Sequence, residues 1–298
     1  MRRGRVHSGS TTVLHRPASR DPIRHVAWVG PASGAELSWA REAVGGLAAI
    51  ADFADANAVV SHPAPPWPAV VLLGSDVPAR WTLADLTAIA RRWPLAPLVS
   101  VATCIVAGRR RSGPPLPGVE EVPWSEVPAR LAWWLADHDA GRPGTLGLPA
   151  TARREDRALE AATALRRSRA GTARVSVAAG RAIDLDGISD LLAASGRTIV
   201  RRTCGRPPLD EPADVLVWDT DPLGPAHLAW LRMLAANRPE LAVIVVDSFP
   251  TPDTALAALR SGAVAVLGRP LAPEALAGAL ESLESPAGTG LGESPEHR

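Results

Sequence analysis

The sequence predicts an α/β protein made of two doubly wound, five-stranded parallel-sheet domains, and three observations predict it. Short apolar, β-branched runs alternate with amphipathic helical stretches in both halves of the chain, the order that parallel strands with helical crossovers require. A loop and a charged, Ala-rich helical stretch separate the halves at residues 141–171. The halves also align by spacing. PAVVLLGSD at 68–76 stands against ADVLVWDTD at 213–221, which puts Gly74 opposite Asp219, and the next strand ends at Thr103 in one half and Asp247 in the other. Pro123 in VPWSE then matches Pro270 in RPLAPE, so a divergent duplication is expected.

In chain order, residues 1–21 are expected to be a disordered tail, since their basic residues are followed by no apolar signal core. The first domain, 22–140, has strand-like runs at His25–Val29, Ala58–Ser61, Ala69–Leu73, Leu98–Ala102 and Val119–Val122. Its helical intervals are Ala35–Ala54, Leu83–Arg92 and Ser125–His138. Residues 141–171 read as a linker with a helix whose charges form a solvated face. The second domain, 172–285, has strands at Arg174–Ala178, Thr198–Arg201, Asp214–Trp218, Ala242–Val246 and Ala263–Leu267. Helices are expected at Gly187–Ala194, Pro225–Asn237, Pro252–Ser261 and Pro273–Ser285, the last opened by Ala-Pro-Glu, with Pro in the first turn. Residues 286–298 have too few large apolar side chains to pack and are expected to be disordered.

Composition narrows the function. With 46% hydrophobic residues in 298, there is material for two cores, and a net charge of +1 gives no bulk field for nucleic acid or an anionic membrane. All 32 basic residues are Arg, so any mechanism that needs a lysine is excluded. No apolar run approaches the roughly 18 residues of a membrane span. Cys104 and Cys204 are far apart in sequence and read as reduced thiols, which fits a cytoplasmic protein. The run GRRRSG at 108–113 has no interleaved aromatics and reads as a solvated loop rather than a nucleic-acid contact. GPASG at 30–34 lacks both the dinucleotide-binding and the P-loop patterns. The His residues show no metal-ligand spacing, so neither a metal site nor a catalytic set is expected.

DVLVWDTDP at 214–222 and LAVIVVDSFPTPDTALAALRSGAVAVLGRPL at 241–271 resemble the receiver family of bacterial response regulators. The first is similar to the third strand with its phosphate-accepting aspartate. The second is similar to the fourth strand, the fourth helix with its ALxxGA ending, the fifth strand and the KP turn. The resemblance implies a flavodoxin-like, receiver-like fold in each half, more weakly in the first. It puts the acceptor position at Asp219, the hydroxyl position at Asp247 or Ser248, and the lysine position at Arg269, followed by Pro270. In the family an acidic pair at the end of the first strand holds Mg²⁺; here Ala178, Ala179 and Gly180 stand there. Asp184 and Asp186, a turn further on, read as capping residues of the following helix. In the first half Gly74 replaces the acceptor, Val122 replaces the lysine, and only Thr103 matches.

The expectation is therefore a cytoplasmic, non-catalytic signalling or scaffold protein of tandem pseudo-receiver domains, with no cofactor. Its partner would be another protein, such as a kinase or a response-regulator-like protein, or a second copy in a homodimer, with no nucleic acid and no membrane. The alternatives are a phosphorelay regulator that uses Mg²⁺ and is phosphorylated at Asp219, and an enzyme or nucleotide-binding protein on a similar fold. Eight of the ten Trp residues lie in the first half. Trp124, Trp133 and Trp134 are candidate interface residues, and since Trp133 and Trp134 point about 100° apart on one helix, one of them is expected to be exposed.

Overall fold

The computed structural model describes residues 25–63, 67–107, 116–142, 144–148, 152–167 and 171–284. Both tails and the GRRRSG run lie outside the described residues.

Two separate five-stranded, all-parallel sheets are present, with strand orders β2-β1-β3-β4-β5 and β7-β6-β8-β9-β10. In the first half these are β1 (His25–Val29), β2 (Ala49–Phe53), β3 (Val70–Ser75), β4 (Leu98–Ala102) and β5 (Val119–Pro123). Helices α1 (Ala35–Gly45), α2 (Ala56–Ser61), α3 (Leu83–Arg92), α4 (Cys104–Ala107) and α5 (Val127–Asp139) follow them in turn. The central strands β3 and β4 are buried at every position, as strands covered by helices on both faces must be. Helix α3 starts at a capping box in which Thr82 accepts from the Asp85 amide and Asp85 reaches back to the Thr82 amide. Helix α4 is a single turn.

One region differs from the sequence expectation. Ala35–Ala54 does not form one helix: α1 stops at Gly45–Gly46 and Ala49–Phe53 forms the edge strand β2, paired only with β1. In turn Ala58–Ser61 is not a strand. It lies in α2, whose first turn is capped by Asp55, with Ala58 N donating to Asp55 Oδ1 at 2.8 Å. The misreading has one cause. An edge strand is buried on one face only, so AIADF lacks the continuous apolar run that marks β3 and β4.

The second half repeats the order with β6 (Arg174–Ala179), α7 (Ala182–Ala194), β7 (Thr198–Cys204), β8 (Val215–Asp219), α8 (Pro225–Asn237), β9 (Ala242–Asp247), α9 (Pro252–Arg260), β10 (Ala263–Gly268) and α10 (Pro273–Glu284). Helix α6 (Arg154–Arg167) lies between the halves and packs beside α10.

The halves meet through equivalent helices, α5 and α10, each following the fifth strand of its own sheet. Both are sandwiched. One side of α10 enters the core of the second sheet through Ala275, Leu276, Ala279 and Leu280. The other meets α5, and at Gly278 the helices come so close that a Cβ would overlap the Ala129 carbonyl oxygen. Trp124, Trp133 and Trp134 are all buried, with 1%, 4% and 3% of their surface exposed. The expectation of an exposed Trp on α5 is thus overturned. A helix covered on one face leaves an indole free, whereas α10 covers the second face here.

Candidate functional site

The strand ends of the second half form the site. Asp219 closes β8 and is buried at 4% exposure, while Arg269 follows β10 and bridges two acids. Its Nη2 donates to Asp219 Oδ2, and its Nη1 donates to Asp184 Oδ1 at 2.8 Å. Asp184 stands in the first turn of α7, where it also pairs with Arg181 at 2.5 Å. It does not cap that helix. The start of α7 has no side-chain cap, and Asp186 is paired with Arg202, so the capping expected of both residues is replaced by ion pairing.

Burial pushes the Asp219 carboxyl above the usual carboxylate range against the opposing pull of Arg269; Asp184 and Asp221 add to the rise. Asp184 is held below its ordinary value, chiefly by its hydrogen bond from Arg269. Asp247 is turned elsewhere: its Oδ1 accepts from Leu223 N at 3.2 Å and Ser248 N at 2.9 Å. The two like charges that act on Asp219 are therefore Asp184 and Asp221. A cavity of about 250 Å³ opens beside Asp219, lined by Gly180, Gly205, Arg206, Trp218 and His227 among others. It lies where the chain order reverses between β6 and β8, the usual ligand crevice of an open α/β sheet.

A divalent ion of the kind receivers use would need oxygen ligands at the end of β6, and Ala178, Ala179 and Gly180 offer no side-chain oxygen. The Arg269 guanidinium already lies against Asp219 as a fixed cation. These residues do not fit the ion. Among the described residues no group of three or more His, Cys, Asp and Glu is placed to hold a metal, and no helix is long and apolar enough to cross a membrane.

The corresponding place in the first half is filled. Gly74, opposite Asp219, is covered by the β1–α1 loop, so that a Cβ there would overlap the Pro31 carbonyl oxygen. Trp81 closes the rest: its Nε1 donates to Gly74 O at 3.2 Å and Ser75 Oγ at 3.1 Å. Its ring lies over Gly30, where a Cβ would be 2.6 Å from Cζ2. Thr103 Oγ1 donates to Asp76 O, an ordinary strand-end bond.

The junction between the halves carries a buried ion cluster that sequence reading missed. Arg130 on α5, 6% exposed, pairs with Glu126 at 3.0 Å, Glu120 at 3.4 Å and Glu274 of α10 at 3.6 Å. Thr145 Oγ1 donates to Glu274, and Arg157 of α6 pairs with Glu120 at 3.4 Å. Glu126 also crosses to the second half, where its Oε1 accepts from Gly268 N at 3.1 Å. Glu126 and Arg130 are four positions apart, an ordinary helical pair, but the contacts that carry the cluster to the second half, Arg130 with Glu274 and Glu126 with Gly268, join residues more than a hundred positions apart, and no local pattern marks those. The only local signal is WSE, directly after β5.

No family model matches the chain, and no curated protein matches it. Solved structures do resemble part of it. A pilus assembly protein (cpaE) from Burkholderia thailandensis is 31% identical over 37% of this chain and 96% of its own, with a TM-score of 0.35. A pilus assembly-related protein from Burkholderia pseudomallei is 29% identical over 37% of this chain and 88% of its own, also at 0.35. The receiver domain of RcsB from Salmonella enterica is 19% identical over 40% of this chain and 96% of its own, at 0.34.

Proposed function

We propose that this chain, two receiver-like domains in tandem, is a non-catalytic signalling or scaffold protein that acts through protein contacts without being phosphorylated. The observation that carries the reading is the contact between Arg269 and Asp219. A phosphoryl group arriving at Asp219 would meet a carboxylate that is buried, already engaged by a guanidinium, and flanked by Asp184 and Asp221. In such a transfer the negative charge on the incoming group must be offset by cations aimed at it. Here the nearest cation is spent on the acceptor itself and on Asp184.

The docking of the halves supports the same reading. The face that follows the fifth strand is, in each half, covered by the other half, so the association that two separate receiver chains would have to achieve is built into one chain. External protein partners would then meet other surfaces. Asp219→Asn, which keeps the geometry but cannot form an acyl phosphate, tests this when put in place of the native gene: the variant is expected to restore what a deletion strain loses. A folded Asp219→Asn protein that behaves like the deletion would refute it.

A second reading, ligand binding at the reversal between β6 and β8, is favoured by the cavity of about 250 Å³ beside Asp219. A thermal shift on adding nucleotides, lost in Arg206→Ala, would support it.

A further inference from the structure

We infer that the first half is a lock on the second half's site: Glu126 and Cys104 fix the two loops that follow β9 and β10, and Arg269 stays on Asp219 only while they do so. This rests on the reading of Asp219 as a carboxylate neutralised by Arg269.

The contacts converge on those two loops. Glu126 is 3% exposed, and its two oxygens face different halves: Oε2 accepts from Arg130 Nε at 3.0 Å, and Oε1 accepts from the amide of Gly268 at 3.1 Å. Gly268 is the last residue of β10 and directly precedes Arg269 and Pro270. A Cβ at 268 would stand 3.0 Å from Glu126 Oε1, so a larger residue there would push the carboxylate back by a few tenths of an ångström. Cys104 holds the neighbouring loop. Its Sγ donates to Pro250 O at 3.2 Å, three residues beyond the end of β9. Its own amide is fixed by Glu36 Oε1 at 2.9 Å. Burial pushes the thiol up to about 12, so at neutral pH it remains the protonated donor this bond requires.

Between the two contacts lies a cleft of about 380 Å³, lined by Trp124, Ser125, Phe249, Pro250, Arg269 and Pro270. Arg269 thus lines the cleft and reaches Asp219 with its guanidinium. If the Gly268 amide is released, the turn can move toward the cleft and withdraw the guanidinium. Asp219 and Asp221 would then lose that counter-charge, with Asp184 still paired to Arg181, and the site would become net acidic. An event that opens the α5–α10 contact is in this way transmitted to the strand ends of the second half.

Amide hydrogen exchange on the full chain, with phenylglyoxal modification of Arg269 followed by peptide mass, tests the lock. Glu126→Met keeps the volume and removes the acceptor; it is expected to speed exchange at Gly268 by at least about tenfold and to raise Arg269 modification, with Val215–Asp219 exchanging as in the wild type. Glu126→Gln leaves a weaker, neutral acceptor and is expected to speed Gly268 exchange by about fivefold. If Glu126→Met loosens every strand, the Glu126→Gln protein decides by the same two readouts. Wild-type exchange at Gly268 and wild-type Arg269 reactivity in the folded variants would overturn the lock. That outcome would leave the phosphorylation-independent reading standing. Conversely, a wild-type protein that accepts a phosphoryl group would end that reading whatever Gly268 does.

Discussion

Replacing Arg130 by Met puts the docking of the halves under direct strain. Arg130 is 6% exposed and its guanidinium faces Glu126, Glu120 and Glu274 at 3.0 to 3.6 Å, with Arg157 also paired into the group, through Glu120. Removing it leaves buried carboxylates without their main counter-charge, which costs about 3–5 kcal/mol in comparable buried clusters. The chain can avoid part of that cost by opening the α5–α10 contact and letting the acids reach water. The expected result at neutral pH is therefore early exposure of Trp133 and Trp134, read as a red shift of emission in urea, before the far-UV signal of the two sheets is lost. Transitions that do not coincide are the signature of such partial opening.

The pH dependence follows from Glu274. Burial raises its pKa, and Arg130 is the first influence that opposes the rise, so in Arg130→Met it is raised further. A carboxyl that titrates higher when docked than when free binds its proton more tightly in the docked state. The stability it lends is present below the free value and is lost as the pH rises through the docked one. The deficit of Arg130→Met should accordingly be largest at about pH 8 and shrink toward about pH 5. A deficit below about 1 kcal/mol at neutral pH, or one that does not change with pH, would refute the reasoning.

Three further outcomes are expected. Gly74→Asp should not create an acceptor in the first half; its Cβ would overlap Pro31 O, so the melting temperature should fall by an amount equivalent to about 1–3 kcal/mol. Gly278→Leu should part α5 from α10, and limited proteolysis should then cut between the halves faster while both sheets keep their circular dichroism. Arg269→Gln removes the influence that holds Asp219 down, so carbon-detected titration of the Asp219 carboxyl should give a higher pKa than in the wild type; an unchanged value would show that the pair is not formed in solution.

Much of this architecture could be read from the residues. β3, β4, β8 and β9 are recognisable because central parallel strands are apolar on both faces, and α3, α8 and α9 because Thr82, Pro225 and Pro252 mark their starts. β2 was hidden, since AIADF is an edge strand inside an Ala-rich stretch, although Gly45 and Gly46 already marked the stop before it. The receiver resemblance placed Asp219, Arg269 and Pro270 at strand ends, and that is where they lie. That Arg269 would choose Asp184 as its second partner was not legible, because Asp184 reads equally well as a helix-start residue until its distance to β10 is known. Glu126 and Arg130 stand at helical spacing, but their link to Glu274 was out of reach for a similar reason. It depends on how two sheets pack, and no periodicity in either half encodes that.

The central claim is that Asp219, held by Arg269 at a strand end without its acidic pair, does not accept a phosphoryl group. Intact-mass measurement of the full chain after incubation with acetyl phosphate and Mg²⁺, beside a fully active receiver as control, tests it most directly. The account predicts an unmodified mass for this protein while the control is phosphorylated. A phosphoryl adduct that disappears in Asp219→Asn would contradict it.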